Sequence, residues 1–135
     1  MEDKMTKCFY HSADLDGKCS AAIVLHQEPD TELFPINYDG VDKFPWDKIG
    51  QGDTVYMVDF SLPNEMMARL KAACLRLIWI DHHKTAIDSV TGEYQGRREV
   101  GKAGCELVWE YFHNPEVDPQ PTPKVVTLLG RYDVW

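Results

Sequence analysis

"TVYMVDFSLPNEMMARLKAACLRLIWIDHH" (54–83) is the stretch whose reading decides the fold. Its first seven residues, 54–60, are apolar and rich in β-branched and aromatic side chains, the signature of a buried strand. "SLPNEMMARLKAACL" (61–75) then opens with a helix-start signal, in which Ser61 or Asn64 serves as cap and Pro63 suits the first turn. "RLIWID" (76–81) is a second buried strand, and it runs straight into Asp81, His82 and His83. A strand, a helix and a strand in this order make a parallel crossover unit.

The flanking sequence repeats the alternation. "KCFYH" (7–11) reads as a first strand and "GKCSAAIVLHQE" (17–28) as a helix with Ala21, Val24 and Leu25 on one face. "ELFPINY" (32–38) is a strand in which Pro35 favours a sheet edge or a bulge. Residues 39–53, dense in Gly, Pro and Asp, form a loop. Beyond His83 a loop leads to a short strand over 96–100, a helix over 101–114 that turns Leu107, Val108, Tyr111 and Phe112 inward, and a Pro-rich connector over 114–123. A final helix over 122–135 has Thr122 as its cap and Pro123 at its first position. The expected fold is α/β: three layers, a mainly parallel five-stranded sheet with helices on both faces, in a single domain over 1–135.

Bulk properties set the limits. A chain of 135 residues, 44% hydrophobic and 27% charged, fits one soluble domain with one core. No apolar run approaches the ~20 residues needed to cross a bilayer, and "MEDKMTKCFY" (1–10) lacks the apolar core of a signal peptide. A cytoplasmic protein with no membrane partner is expected. Cys8, Cys19, Cys74 and Cys105 are widely spaced and form no CxxC pair, so reduced thiols are expected rather than a disulfide framework. The net charge of −8 argues against a broad basic face for long duplex nucleic acid, but leaves room for a small phosphorylated substrate if bound cations reverse the local field.

The acids fall where such cations are useful. Asp14 and Asp16 follow the first strand in "HSADLDG" (11–17), Asp59 ends the third in "MVDFS" (57–61), and Asp81, His82 and His83 end the fourth. In a parallel sheet these ends share one rim, which is where ligands bind. A lone Asp after a strand is usually a cap or turn former, and a lone His such as His26 or His113 is usually surface or core. Carboxylates at three strand ends are harder to ascribe to chance. Burying them bare is costly, and a divalent cation removes the repulsion; oxygen-rich donors with some imidazole suit Mn²⁺ or Mg²⁺. "GKAG" (101–104) admits two readings: a helix N-terminus offering N–H groups of Gly101, Lys102 and Gly104 to a phosphate, or a tight turn with close packing at Gly104.

These residues resemble the DHH family of phosphoesterases. "HSADLDG" is similar to its first motif, "VDFS" to the second, "DHH" is the third, and "GRYDVW", with Asp133, is similar to the fourth; the ordered set spans 11–135. The family includes exonucleases, oligoribonucleases, phosphatases of adenosine bisphosphate, cyclic-dinucleotide phosphodiesterases, exopolyphosphatases and pyrophosphatases. The resemblance implies two divalent ions, Mn²⁺ first, with Mg²⁺ or Co²⁺ as alternatives. It implies that His11, Asp14 and Asp59 hold one and that Asp16, Asp59, His82 and Asp133 hold the other, with Asp59 as the bridge. It further implies that His83 contacts the attacked phosphate or its water and that Asp81 orients imidazole. His11 stands one residue closer to Asp14 than the first-motif histidine does in many members. The family usually carries a C-terminal DHHA1 domain with basic substrate contacts, so this sequence, ending at Trp135, is expected to be a short form or the N-terminal part of a longer protein. Weak turnover by this chain alone, or a homo-oligomer with a contact through Trp135, is expected.

Two rivals remain at this point. A receiver domain of two-component signalling also has acids after its first and third strands, with Asp59 as phospho-acceptor. However, it needs Ser or Thr after the fourth strand and Lys after the fifth, where this chain has "DHH" and a badly placed Lys102. The other rival is a catalytically silent module of the same fold that binds a nucleotide or a partner.

Overall fold

The computed structural model describes residues 5–114, 116 and 122–134; within the last segment the side chains of Leu128, Tyr132, Asp133 and Val134 lie outside the description. Five strands, β1 (Thr6–His11), β2 (Glu32–Ile36), β3 (Thr54–Val58), β4 (Arg76–Asp81) and β5 (Gln95–Arg98), form one sheet in the order β2-β1-β3-β4-β5. Every pairing is parallel, from Phe9 opposite Phe34 to Asp81 opposite Arg98. The fold is the expected α/β sandwich of a sheet between two helical layers.

Strand alternation builds both faces. Cys8, Tyr56, Val58, Ile78 and Ile80 point to one side, where they meet α1 (Leu15–Gln27), α4 (Gly104–Phe112) and α5 (Lys124–Val134) through Val24, Leu107, Val108 and Val126. Phe9, Val55, Met57, Leu77 and Trp79 point to the other, against α2 (Asn64–Ala73) through Met67 and Leu70, and against α3 (Lys84–Ser89) through Ala86. A central strand buried on both faces needs apolar residues at consecutive positions, which is why 55–58 and 77–80 read as unbroken apolar runs. Pro35 sits on β2, an edge strand, where its missing N–H costs no ladder bond on the open side.

Several local expectations need correction. Residues 84–89 are a helix, α3, rather than a loop; none of its residues is buried, so it leaves no apolar period to read. The second strand ends at Ile36 rather than at 38, and two 3-10 turns, Tyr38–Lys43 and Trp46–Lys48, follow where the sequence reads as a plain loop. Neither Ser61 nor Asn64 caps α2, because the Ser61 hydroxyl donates to the Leu62 carbonyl and Asn64 Oδ1 accepts from the Thr91 amide. Leu25 is 37% exposed while Ile23 is buried. Ile23 belongs to the core cluster that α1 shares with the sheet, α4 and α5. The four cysteines are free thiols, three of them buried.

This layering makes a direct stability test. Truncating Leu107, buried between α4 and the sheet, is expected to cost about 2–5 kcal/mol, whereas Leu25→Ala should stay within about 0.5 kcal/mol of wild type. Urea unfolding of the two variants reads both values; equal losses would mean that α1 and α4 are packed otherwise.

Candidate metal centre

In the order β2-β1-β3, the chain leaves β1 and β3 toward opposite sides, and the crevice at their carboxyl ends is where a doubly wound sheet binds ligands. His11 is the last residue of β1. Asp14 is the N-cap of α1, its Oδ1 accepting from the Gly17 amide at 2.9 Å. This is the ordinary capping role, yet only one oxygen is used; Oδ2 lies 3.5 Å from His11 Nδ1. Gly17 permits the tight return, since a Cβ there would stand 1.8 Å from the His11 carbonyl oxygen.

Asp59 ends β3 in a left-handed conformation, φ 54°, with its amide donating to the Ile80 carbonyl at 2.9 Å. That conformation is uncommon for a side chain other than Gly, and Asp and Asn tolerate it best. It turns a fully buried carboxylate into the crevice. Asp59 Oδ1 is 2.9 Å from His82 Nε2, and Oδ2 is 3.6 Å from His11 Nδ1, so Asp59 stands between the two imidazoles. Burial, reinforced by the charges of Asp16 and Asp14, pushes its carboxyl up to about 10.

Asp16 reaches from α1 to the start of α4, where it accepts from the amides of Gly104 and Cys105, each at 2.8 Å. It also lies 3.4 Å from His82 Nε2. The N-terminus of α4 is thus occupied by a carboxylate of this chain. Of the phosphate donors read at Gly101, Lys102 and Gly104, the Gly104 amide is corrected accordingly. The Gly104 amide is taken by Asp16, and the Lys102 ammonium is held by Glu110 at 2.7 Å. Gly101 begins the turn before α4 in a left-handed conformation, φ 100°. The close-packing reading fits Gly104: a Cβ there would come within 2.9 Å of Asp59 Oδ1.

Asp81 and the two histidines complete the rim. Asp81 Oδ1 accepts from the His82 amide at 2.8 Å and sits 2.7 Å from His83 Nδ1. This hydrogen bond raises the His83 imidazole above its ordinary value, against the opposing effect of burial. The fully buried Asp81 therefore fixes the backbone of His82 and the ring of His83. The site reaches solvent at Asp14 and at His83, whose side chains are 42% and 35% exposed.

Two sets of donor atoms each lie close enough to share an ion: His11, Asp14 and Asp59 in one, and Asp59, Asp81, His82 and His83 in the other. The residues fit a divalent cation. His11 Nδ1 and Asp59 Oδ2 face each other, buried, with no hydrogen-bond partner among the described residues. Buried polar atoms are normally paired, and an oxygen-rich donor set with imidazole suits Mn²⁺ or a similar ion. Asp133 falls on α5, but its side chain lies outside the described residues.

The sequence reading overlooked Tyr38. Its ring stacks on Phe60 at 4.4 Å and meets His11 edge-on at 5.4 Å, beside the cluster. Tyr38 follows β2, whose carboxyl end shares the same rim, and that position was the available signal.

The raised Asp59 carboxyl has a thermodynamic consequence. Its folded value, about 10, exceeds the ordinary 3.8, so the folded state holds this proton more tightly than the unfolded chain. In metal-free protein, stability therefore falls as pH rises from about 4 toward 10. Metal-free Asp59→Asn is expected to melt higher than wild type at pH 8, with the difference shrinking at pH 5. Added Mn²⁺ should raise the melting temperature of wild type and leave Asp59→Asn nearly unmoved. Thermal scans with and without Mn²⁺ check both signs.

Comparison with known proteins agrees with this geometry. No curated protein matches the chain significantly. A solved structure, "Crystal structure of an uncharacterized protein from Helicobacter pylori G27", superimposes with a TM-score of 0.68 at 14% identity, covering 98% of this chain. At that identity the likeness shows the fold alone, and the chain spans 44% of that protein's length. The family model described as "DHH family, N-terminal domain" matches residues 7–130, which include His11, the paired aspartates, Asp59 and the DHH triplet itself. The chain belongs to the DHH family, and the part of the family that it matches is the N-terminal domain.

Proposed function

We propose that this chain is a divalent-metal-dependent phosphoesterase acting on a small phosphorylated substrate: a nucleotide, a short oligonucleotide or a polyphosphate. The observation that carries the reading is the position of Asp59, buried between His11 and His82 with one oxygen toward each. In this reading His11, Asp14 and Asp59 hold one ion, and Asp59, Asp16 and His82, joined by Asp133, hold a second. The amides of Gly104 and Cys105 use one lone pair on each Asp16 oxygen and leave the other. Two divalent ions, Mn²⁺ by preference, would supply an acidified water and neutralise phosphoryl oxygens.

The chain's own residues do the rest. His83, half-buried at the open side and held toward its protonated form by Asp81, donates to a phosphoryl oxygen of the substrate. Asp81 keeps that ring in place and does not itself meet the substrate, being fully buried. His82 ligates through Nε2, the nitrogen that faces Asp59 and Asp16.

An activity screen over bis(p-nitrophenyl) phosphate, dinucleotides, adenosine bisphosphate and tripolyphosphate, with and without Mn²⁺, tests the reading; no Mn²⁺-dependent turnover of any of them would sink it. The two adjacent histidines should separate in the same assay. His83→Ala is expected to lower turnover on the order of 10²-fold with metal content nearly unchanged, while His82→Ala should lose bound metal first. Equal metal loss in both variants would reverse the assigned roles.

A further inference from the structure

His83 faces two spaces. One holds the carboxylate cluster; the other is an open cleft of about 550 Å³, for which His83 is a shared wall. Tyr38, Leu62, Pro63 and Ala86 give the cleft an apolar lining, and Ser61 and Thr85 add hydroxyls. Among the described residues, no lysine or arginine lines it. Its volume falls within the range of small-molecule sites, which are mostly apolar with a few polar groups.

The chemistry of this lining selects its occupant. A second phosphate would bring negative charge next to four carboxylates, into a space whose one cationic lining residue, His83, is already assigned to the phosphate at the metal centre. A flat, uncharged ring suits it better. Tyr38 supplies a platform: its ring rests on Phe60 at 4.4 Å and 29°, so one face is supported while the residue stays 51% exposed. An aromatic ring held from behind is preorganised for stacking, and base–aromatic stacking is sequence-tolerant. Hydroxyls at the rim can meet the ring nitrogens and carbonyls of a base. Ser61 already donates to the Leu62 carbonyl, which leaves its oxygen as an acceptor.

We infer that the cleft between Tyr38 and α3 is a subsite for the base of a nucleotide whose phosphate lies at His83 and the metal centre. The inference rests on the phosphoesterase reading and narrows it: nucleotides and short oligonucleotides are preferred over polyphosphate.

Calorimetric titration of the Mn²⁺-loaded chain with AMP and with ribose 5-phosphate tests it, since the two ligands share a sugar phosphate and differ in the base. AMP is expected to bind roughly 5- to 150-fold tighter, the span of a single stacked base. Tyr38→Phe should keep this gap. Tyr38→Ala should close most of it, and so should Thr85→Trp, which fills the cleft from an exposed helix position and serves if Tyr38→Ala fails to fold. Equal affinity of wild type for the two ligands overturns the base subsite and leaves the phosphate site standing. A gap that survives both blocking variants also overturns it. Failure of both ligands to bind the Mn²⁺-loaded chain overturns the metal-centre reading, and the subsite with it.

Discussion

The buried carboxylate of Asp59 is the constraint around which the rim of this sheet is organised. It has no exposed surface, it sits among the charges of Asp14, Asp16 and Asp81, and its carboxyl is driven up to about 10. The other three carboxylates are each compensated by backbone. Asp14 caps α1, Asp16 caps α4 from a distance, and Asp81 accepts from the His82 amide. Helix N-termini also offer partial positive charge to the first two. Asp59 has only the His82 ring at one oxygen, and its other oxygen has no hydrogen-bond partner among the described residues. The cluster is therefore deficient at its centre, the position where a cation does most, and again at Asp81 Oδ2, which is buried without a hydrogen-bond partner among the described residues.

Much of the local backbone follows from bringing these groups so close. The left-handed turn at Asp59 redirects the chain at the end of β3, so that the side chain enters the crevice. Gly17 lets α1 start directly over the end of β1, and Gly104 lets α4 approach Asp59 and Asp16 without a Cβ in between. The second contact explains why the start of α4 belongs to the site without being a phosphate loop. Its amides stabilise a ligand residue rather than the substrate.

The sheet was legible because its central strands are buried on both faces, which writes short apolar runs rich in β-branched and aromatic residues within 54–60 and 76–81. The acidic rim was legible for the same reason: once the strands are parallel, their ends are neighbours. His11 was the position with a shifted spacing, yet it lies at the end of β1 facing Asp14 and Asp59. What stayed hidden lacked a periodic signal. The helix α3 buries no residue, and the 3-10 turn that carries Tyr38 looks like any Gly- and Asp-rich loop. Leu25 was misread because the helical stripe alone cannot show which side of α1 the later helices α4 and α5 pack against, and it is Ile23 that is buried. The contact of Asp16 with Gly104 and Cys105 spans 88 and 89 residues, beyond the reach of local pattern.

The distribution of positive charge gives the last step. Two cations on the elements that flank the rim, Arg98 and Lys102, are already engaged. Arg98 donates to the carbonyls of Trp79 and Tyr94, and Lys102 is held by Glu110. Neither is free to receive a phosphate. With a net charge of −8, the rim on its own repels the anions that its fold would otherwise collect at the strand ends. Positive charge for a phosphoryl group at the cluster itself comes from ions held by the aspartates and from the imidazole of His83, biased toward its charged form by Asp81. Substrate affinity and metal affinity are thus linked through the same carboxylates. The acids that make the bare site repulsive to phosphate are the ones that let it accept phosphate once cations are bound.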